Sequence, residues 1–458
     1  MTTAMMTILF PTALLLFGLS APTQQHSQAW DQGYEVEGPL AILPQRERAP
    51  IVNELLRDRL ESILPAAMRE TGIDMWVVIN REYAEDPVYL TLVPEPVFAA
   101  RRTTILVFFD RGEEGIERLT VSRYGLGEFY ESAWEGGGSS AEQWQRLAHV
   151  ITERNPKRIG INTSRHWAFG DGLSSGLRAR LEETLGDDLR ARLVSAENLC
   201  IRWLETRSAR EMQIYPQVVQ LARSVIAEAF SNRVITPGVT TTDDVAWFLR
   251  QRFSDLSLDV WFQPYCNVQR RSKSGDEDVP IGGLTGVVIE RGDLVHTDVG
   301  IDYLRMCTDT QEMAYVLRTG ESEVPEGIQR AMAIGNRWQD ILTSSFIRGR
   351  TGNEILAATR SRSAQESIDC TVYSHPLGYF GHAAGPTIGM WDNQGETPVR
   401  GDWMLNDHTC YAIEGSVTLP IPEWGGQLAQ IKLEQDGWFD GERVLYIGGR
   451  QTKWHVIR

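Results

Sequence analysis

The feature that most constrains this chain is a set of ionisable residues carried by apolar, strand-like segments of its second half. Asp298 stands in the run Leu294 to Gly300, and Asp309 in a second run from Met306 to Tyr315. His375 and His382 bound the segment Ser374-His-Pro-Leu-Gly-Tyr-Phe-Gly-His382, seven residues apart and flanked by Pro and Gly. Glu414 ends the run Cys410-Tyr-Ala-Ile, and Glu434 follows Gln430-Ile-Lys-Leu. A charge at the inner end of a strand is costly to bury unless it is paired or bound to a metal. Two carboxylates at close range repel unless a proton or a cation lies between them. Asp298 and Asp309 are eleven residues apart across a Val-Gly-Ile-Asp segment read as a turn, so a hairpin would bring both to one face. Taken singly, each acid reads more readily as a solvated surface charge. The informative property is their joint order: Asp, Asp, His, Glu, Glu on successive strand-like segments.

The rest of the chain bounds the setting. Its 458 residues exceed what one hydrophobic core usually organises, so two domains are expected. Lys and Arg number 45 against 61 Asp and Glu, a net charge of −16. That balance excludes the clustered basic surface that nucleic acid or an anionic membrane requires. The apolar run Ile8 to Leu19 falls short of the ~20 residues needed to span a bilayer. Ser27-Gln28-Ala29 fits the small-x-small cleavage pattern, so residues 1–29 read as a secretory signal cleaved near Ala29 and the protein as exported, periplasmic or secreted. Five scattered cysteines (Cys200, Cys266, Cys307, Cys370, Cys410) include no CxxC and read as small buried apolar residues.

Residues 44–200 alternate helical and strand patterns. Apolar positions at helical spacing run through Arg48 to Glu70, and short apolar runs follow at Met75–Ile79, Thr104–Phe109 and Arg158–Ile161. This implies an α/β layer domain. Gly136-Gly-Gly-Ser-Ser140 reads as a loop without the spacing of a phosphate-binding motif. From about 205 to 458 a second domain is expected. Ser208 with Glu211 and Thr241 with Asp244 are capping signatures that open two helices, and β-rich sequence follows with helices near 323–346 and 352–367.

The order and spacing of the six residues resemble the pita-bread metallopeptidase family, which includes methionine aminopeptidases, Xaa-Pro aminopeptidases, prolidases and the metal-free creatinases. The resemblance runs from about 205 to the end, and the preceding segment is similar to the creatinase-like N-terminal domain of Xaa-Pro-type members. It implies an α/β creatinase-like domain followed by an α+β pita-bread catalytic domain. It also implies that Asp298, Asp309, His375, Glu414 and Glu434 hold two divalent metal ions, with Asp309 and Glu434 bridging. Asp298 would complete one ion, and His375 with Glu414 the other. A hydroxide between the ions would attack the scissile carbonyl, His382 would hydrogen-bond substrate or oxyanion, and Glu414 would carry a proton to the leaving amine. Carboxylates with one imidazole suit Mn²⁺ first, with Co²⁺, Fe²⁺ and Zn²⁺ as alternatives. The implied activity is that of an aminopeptidase or dipeptidase on small peptides, with Xaa-Pro bonds among its targets, in a homodimer.

Departures from the family pattern fall at substrate-handling positions. Thr371 stands where many Xaa-Pro members carry a further His, Ala383 replaces an acid after His382, no His occurs around Pro280 and Ile281, and Lys432 replaces an Arg. Rival readings are a metal-dependent lyase or non-peptide hydrolase of the same fold, a metal-free creatinase-like enzyme, and a catalytically silent binding protein. The filled ligand positions weigh against the last two. His296 shares a strand face with Asp298 and reads as a pocket or packing residue, Asp302 as a solvated turn residue, and Cys307 as packing. Trp391 and Trp424, beside Pro- and Gly-rich loops, read as core residues or pocket walls.

Overall fold

The computed structural model describes residues 42–272 and 282–458. The expected signal segment and the positions of Pro280 and Ile281 lie outside the described residues.

The first sheet follows from runs that are apolar on both faces. Strands β1 (Met75–Arg81), β2 (Thr103–Asp110), β3 (Ile116–Thr120), β4 (Glu131–Ser132), β5 (Ile159–Ile161) and β6 (Leu193–Ser195) form a six-stranded sheet in the order β4-β3-β2-β1-β5-β6. Successive side chains of a strand point to opposite faces. Accordingly Trp76 and Val78 join Leu60 and Leu64 of the helix Gln45–Thr71, while Met75, Val77 and Ile79 join Trp144 and Leu147 of the helix Ser140–Arg154. That double burial is why β1 reads as a continuous apolar run rather than an alternating one.

The second sheet is built differently. It comprises β8 (Tyr265–Gln269), β9 (Leu294–Val299), β12 (Thr310–Val316), β13 (Asp369–Val372), β14 (His375–Leu377), β15 (Thr409–Ile421), β16 (Gln427–Phe439), β17 (Val444–Tyr446) and β18 (His455–Ile457). Its main path is β13-β15-β16-β12-β9-β8, with β14 on β15, β17 on β16 and β18 on β12. The helices Ala209–Ala229 and Thr242–Asp255 are both opened by the expected capping boxes; the first packs on β9 and β12 through Ala222 and Ile226, the second on β8. The helix Glu326–Ser344 packs on β15 and β16 through Met332 and Leu342, and the helix Gly352–Gln365 packs on β13 and on Glu326–Ser344. Helix-facing residues such as Val295, Val299, Ile413 and Leu433 are apolar and buried. They alternate with His296, Asp298, Glu414 and Glu434 on the other face. No helix among the described residues is long and apolar enough to cross a membrane.

The Val-Gly-Ile-Asp segment is not the turn expected. It runs into β10 (Ile301–Tyr303), which pairs with β11 (Met306–Cys307) and β7 (Asp259–Val260) in a small separate sheet. The reversal falls instead at Leu304 and Arg305, with φ of 56° and 62°. Asp302 is therefore a half-buried strand residue rather than a solvated one, its carboxyl pushed up to about 6 by burial and by Asp259.

The two sheets are tied by the first helix and by the histidine-bearing segment. Arg59 donates to Thr206 O at 2.6 Å and to Glu211 at 2.7 Å. Phe169 stacks on Phe380 with ring centroids 4.6 Å apart.

Candidate metal centre

Strand register assembles the site. In the second sheet Tyr265 lies opposite Asp298, Asp298 opposite Gln311, Gln311 opposite Glu434, and Glu434 opposite Glu414. The Tyr373 N–H donates to Glu414 O at 3.1 Å and extends the line by one residue. Directly opposed residues of antiparallel strands share a face with Cβ atoms ~5 Å apart. One row therefore crosses five strands, with three acids, a central glutamine and a tyrosine at each end. Asp309 stands two residues before Gln311, and His375, opposite Ala412, joins from β14.

The side chains converge. Ligating atoms of Asp298, Asp309 and Glu434 lie within 4.8 Å of one another, as do those of His375, Glu414 and Glu434. A third such group is Asp309, His375 and His382, so His382 stands closer to the acids than its expected substrate role required. His375 Nε2 is 3.3 Å from Asp309, 3.7 Å from Glu414 and 3.8 Å from Glu434.

Asp309, Glu434 and His375 are buried and Asp298 and Glu414 half-buried, with four acids gathered around one imidazole. Burial first, and then the neighbouring acids, push the Asp309 and Glu434 carboxyls well above the ordinary range. Burial and Asp298 do the same to Glu414. Asp298 is raised to about 7 by burial, against a Tyr265 hydrogen bond and the charge of Lys432. Burial, and then the charge of His382, pull His375 down to about 3, so its imidazole is neutral. His375 Nδ1 donates to Pro376 O at 3.0 Å. Its Nε2 thus carries a lone pair that faces three carboxylates.

A lone pair and carboxylate oxygens repel, and the arrangement is relieved only by protons or by cations between them. Among the described residues His375 Nε2, Asp298 Oδ1 and Glu434 Oε1 have no hydrogen-bond partner although buried. Oxygen donors with one imidazole nitrogen are the ligand set of borderline-hard divalent ions. The residues fit divalent metal.

Several participants escaped sequence reasoning. Gln311 and Tyr373 each sit two residues from an expected ligand on an extended segment, and period-two spacing was the available signal for both. Tyr265 offered none, because only register brings it to Asp298. Trp261 was likewise missed. Its ring meets His382 edge-on at 5.1 Å, and a Cβ at Gly381 would fall 2.0 Å from it. His296 is fully buried and hydrogen-bonded to Asn267 and Gln311, so it packs beneath the site and does not line a pocket. Trp424 belongs to the core against the helix Glu326–Ser344, whereas Trp391 is exposed. None of the five cysteines forms a disulfide, and all but the half-buried Cys370 are buried.

An α/β domain joined to a helix-backed sheet whose inner face gathers four acids and an imidazole is the construction of the pita-bread metallopeptidases. Residues 213–436, within the second domain, match the model of metallopeptidase family M24. An uncharacterized peptidase of Bacillus subtilis (strain 168) is 24% identical over 310 residues, 66% of this chain and 75% of that protein. Among solved structures, an X-Pro aminopeptidase from Thermotoga maritima MSB8 has a TM-score of 0.61 at 17% identity, covering 85% of this chain and 99% of that one. A Xaa-Pro dipeptidase from Bacillus anthracis has a TM-score of 0.57 at 18% identity, covering 88% and 100%. At these identities the structural likeness is one of fold.

Proposed function

We propose that this chain is a divalent-metal-dependent peptidase that removes N-terminal residues from small peptides, with Xaa-Pro bonds among its substrates. The observation that carries the reading is the neutral His375, whose Nε2 faces three carboxylates at 3.3–3.8 Å with its other nitrogen committed to Pro376. Asp298, Asp309 and Glu434 would hold one ion and His375, Glu414 and Glu434 a second, Mn²⁺ being the first candidate for both. Such ions, when bound, polarise a carbonyl and supply a nucleophile near neutral pH.

The remaining work belongs to the chain. His382, steadied by the Trp261 edge and 3.2 Å from the Tyr373 hydroxyl, presents an imidazole to the scissile carbonyl. Glu414 shares the cluster and is the group suited to move a proton to the leaving amine. Trp261 and Phe262 offer apolar ring surface beside His382. The charge of Arg400 reaches both His382 and Tyr373 and suits a peptide carboxylate. Thr371 and Ala383 keep a second reading in view, a non-peptide hydrolase or lyase using the same ions.

A panel of Xaa-Pro, Xaa-Ala and Met-Xaa peptides, incubated with Mn²⁺- or Co²⁺-loaded protein and followed by mass spectrometry, tests the reading. Release of the N-terminal residue is expected. Failure to cut any free-amine peptide with metal bound would remove the peptidase and leave the second reading. Export and dimer formation belong to the same proposal. A mature N-terminus at Trp30 and a two-chain mass by light scattering are the expected observations.

A further inference from the structure

The row of acids has one neutral member at its centre, and its hydrogen bonds continue into the sheet. Gln311 Nε2 lies 2.7 Å from Glu414 Oε1 and 2.7 Å from Glu434 Oε2. Its Oε1 lies 2.8 Å from His296 Nε2, and His296 Nδ1 lies 3.2 Å from Asn267 Nδ2. Every donor in this chain has a determined direction. Carboxylates that hold cations are ionised and only accept, so in the metal-loaded site the amide nitrogen of Gln311 must face them and its oxygen must face His296. His296 Nε2 therefore bears the proton, Nδ1 is the acceptor, and Asn267 donates to it. The three supporting residues are at most 5% exposed, so water does not compete for these bonds.

We propose that Gln311, locked by His296 and Asn267, is the positioning residue that decides which carboxylate oxygens are offered to the cations. The proposal rests on the metal reading above. Gln311 occupies Oε2 of Glu434 and leaves Oε1, the atom 3.8 Å from His375 Nε2, without a partner. It occupies Oε1 of Glu414 and leaves Oε2, which is 3.7 Å from the same nitrogen. At the end of the row the Tyr265 hydroxyl bonds Asp298, whose Oδ1 likewise has no partner. Neutral donors thus hold each carboxylate without cancelling its charge. A lysine or arginine at 311 would cancel that charge, and a flipped amide would turn an oxygen toward the acids. The contact to His296 prevents the flip.

The test uses full-length protein stripped of metal and titrated with Mn²⁺ in a calorimeter, with circular dichroism as the check on folding. Gln311→Met keeps the length and removes the N–H groups. Its Mn²⁺ dissociation constant is expected to rise ~10–100-fold, the range seen when groups supporting metal ligands are removed. An unchanged constant in a folded variant overturns the proposal. Nitrogen-15 NMR of the wild-type histidines supplies an independent check, with the His296 signal identified by its loss in His296→Gln. Protonated Nε2 and bare Nδ1 are expected, and the reverse tautomer overturns the relay whatever the variant does. A wild-type protein that takes up no divalent ion removes the metal reading and this proposal together, an outcome distinct from wild-type binding that Gln311→Met leaves intact.

Discussion

Two acids 1% exposed sit on neighbouring strands of one sheet and are held in opposite ways. Glu312 lies on the helix side of β12, next in sequence to Gln311. Arg223 of the helix Ala209–Ala229 donates to it at 2.7 Å, and His455 of β18 meets its other oxygen. Burial acts to raise its carboxyl, but Arg223 and His455 outweigh that and bring it down to about 2. Glu434, on the other face, has acids for neighbours and a carboxyl well above the ordinary range. Burial alone does not set the charge of a carboxylate. A permanent partner built into the chain makes Glu312 a structural charge, and the lack of one around Glu434 leaves a place for an exchangeable cation.

The largest expected effect breaks the inner face. Asp309→Ala should lower kcat/KM by on the order of 10³-fold or more, because residues that act as a unit fail together. Metal content by mass spectrometry should fall with it, while the stripped variant melts no lower than stripped wild type, since one repelling acid is gone. Retained turnover would contradict the assignment of Asp309. The outer face should respond in the opposite sense. Arg223→Ala leaves the buried Glu312 with His455 as its one remaining side-chain partner, which costs ~3–5 kcal/mol of stability in urea unfolding. An unchanged unfolding midpoint would show that Glu312 does not depend on Arg223.

The pH response separates the faces without a mutation. Asp298 is raised from 3.8 to about 7, so the folded metal-free protein binds more protons than the unfolded chain between those values. Its stability from this group should therefore fall as pH rises across that window, by on the order of a few kcal/mol. Glu312 has the opposite sign, because its stabilisation is present above the ordinary carboxylate range and is lost as pH falls toward 2. Melting temperatures of stripped protein at pH 5 and pH 7.5 should decrease, and saturating Mn²⁺ should abolish the decrease. A metal-independent pH profile would show that the inner acids are not the titrating groups.

Much of the construction was legible from local pattern. The capping pairs Ser208 with Glu211 and Thr241 with Asp244 open the helices expected of them, because a cap is satisfied within one turn. The apolar runs ending in Glu414 and Glu434 are strands, and the two-residue period of a strand turns both acids away from their apolar neighbours. The same period puts Gln311 on the face of Asp309 and Tyr373 on the face of His375. Local pattern misread Val-Gly-Ile-Asp as a turn because the small sheet around β10 also draws on β7, some 40 residues earlier. It left Trp424 undecided because the residues that bury it come from the helix Glu326–Ser344.

By itself, the sequence determined the ligand types, their order and the alternation that turns them away from the helices, since these depend on side-chain chemistry and the two-residue period of a strand. Tertiary structure alone decided the row from Tyr265 through Asp298, Gln311 and Glu434 to Glu414, because that row is a matter of strand register and its link from Gln311 to Glu434 joins strands more than 100 residues apart in sequence. It also decided which acids received a permanent cation. Arg223 and Glu312 are 89 residues apart, and no short-range pattern pairs them. Charge state in a buried site is set by what folding brings within a few ångströms, where the low dielectric makes each neighbour count.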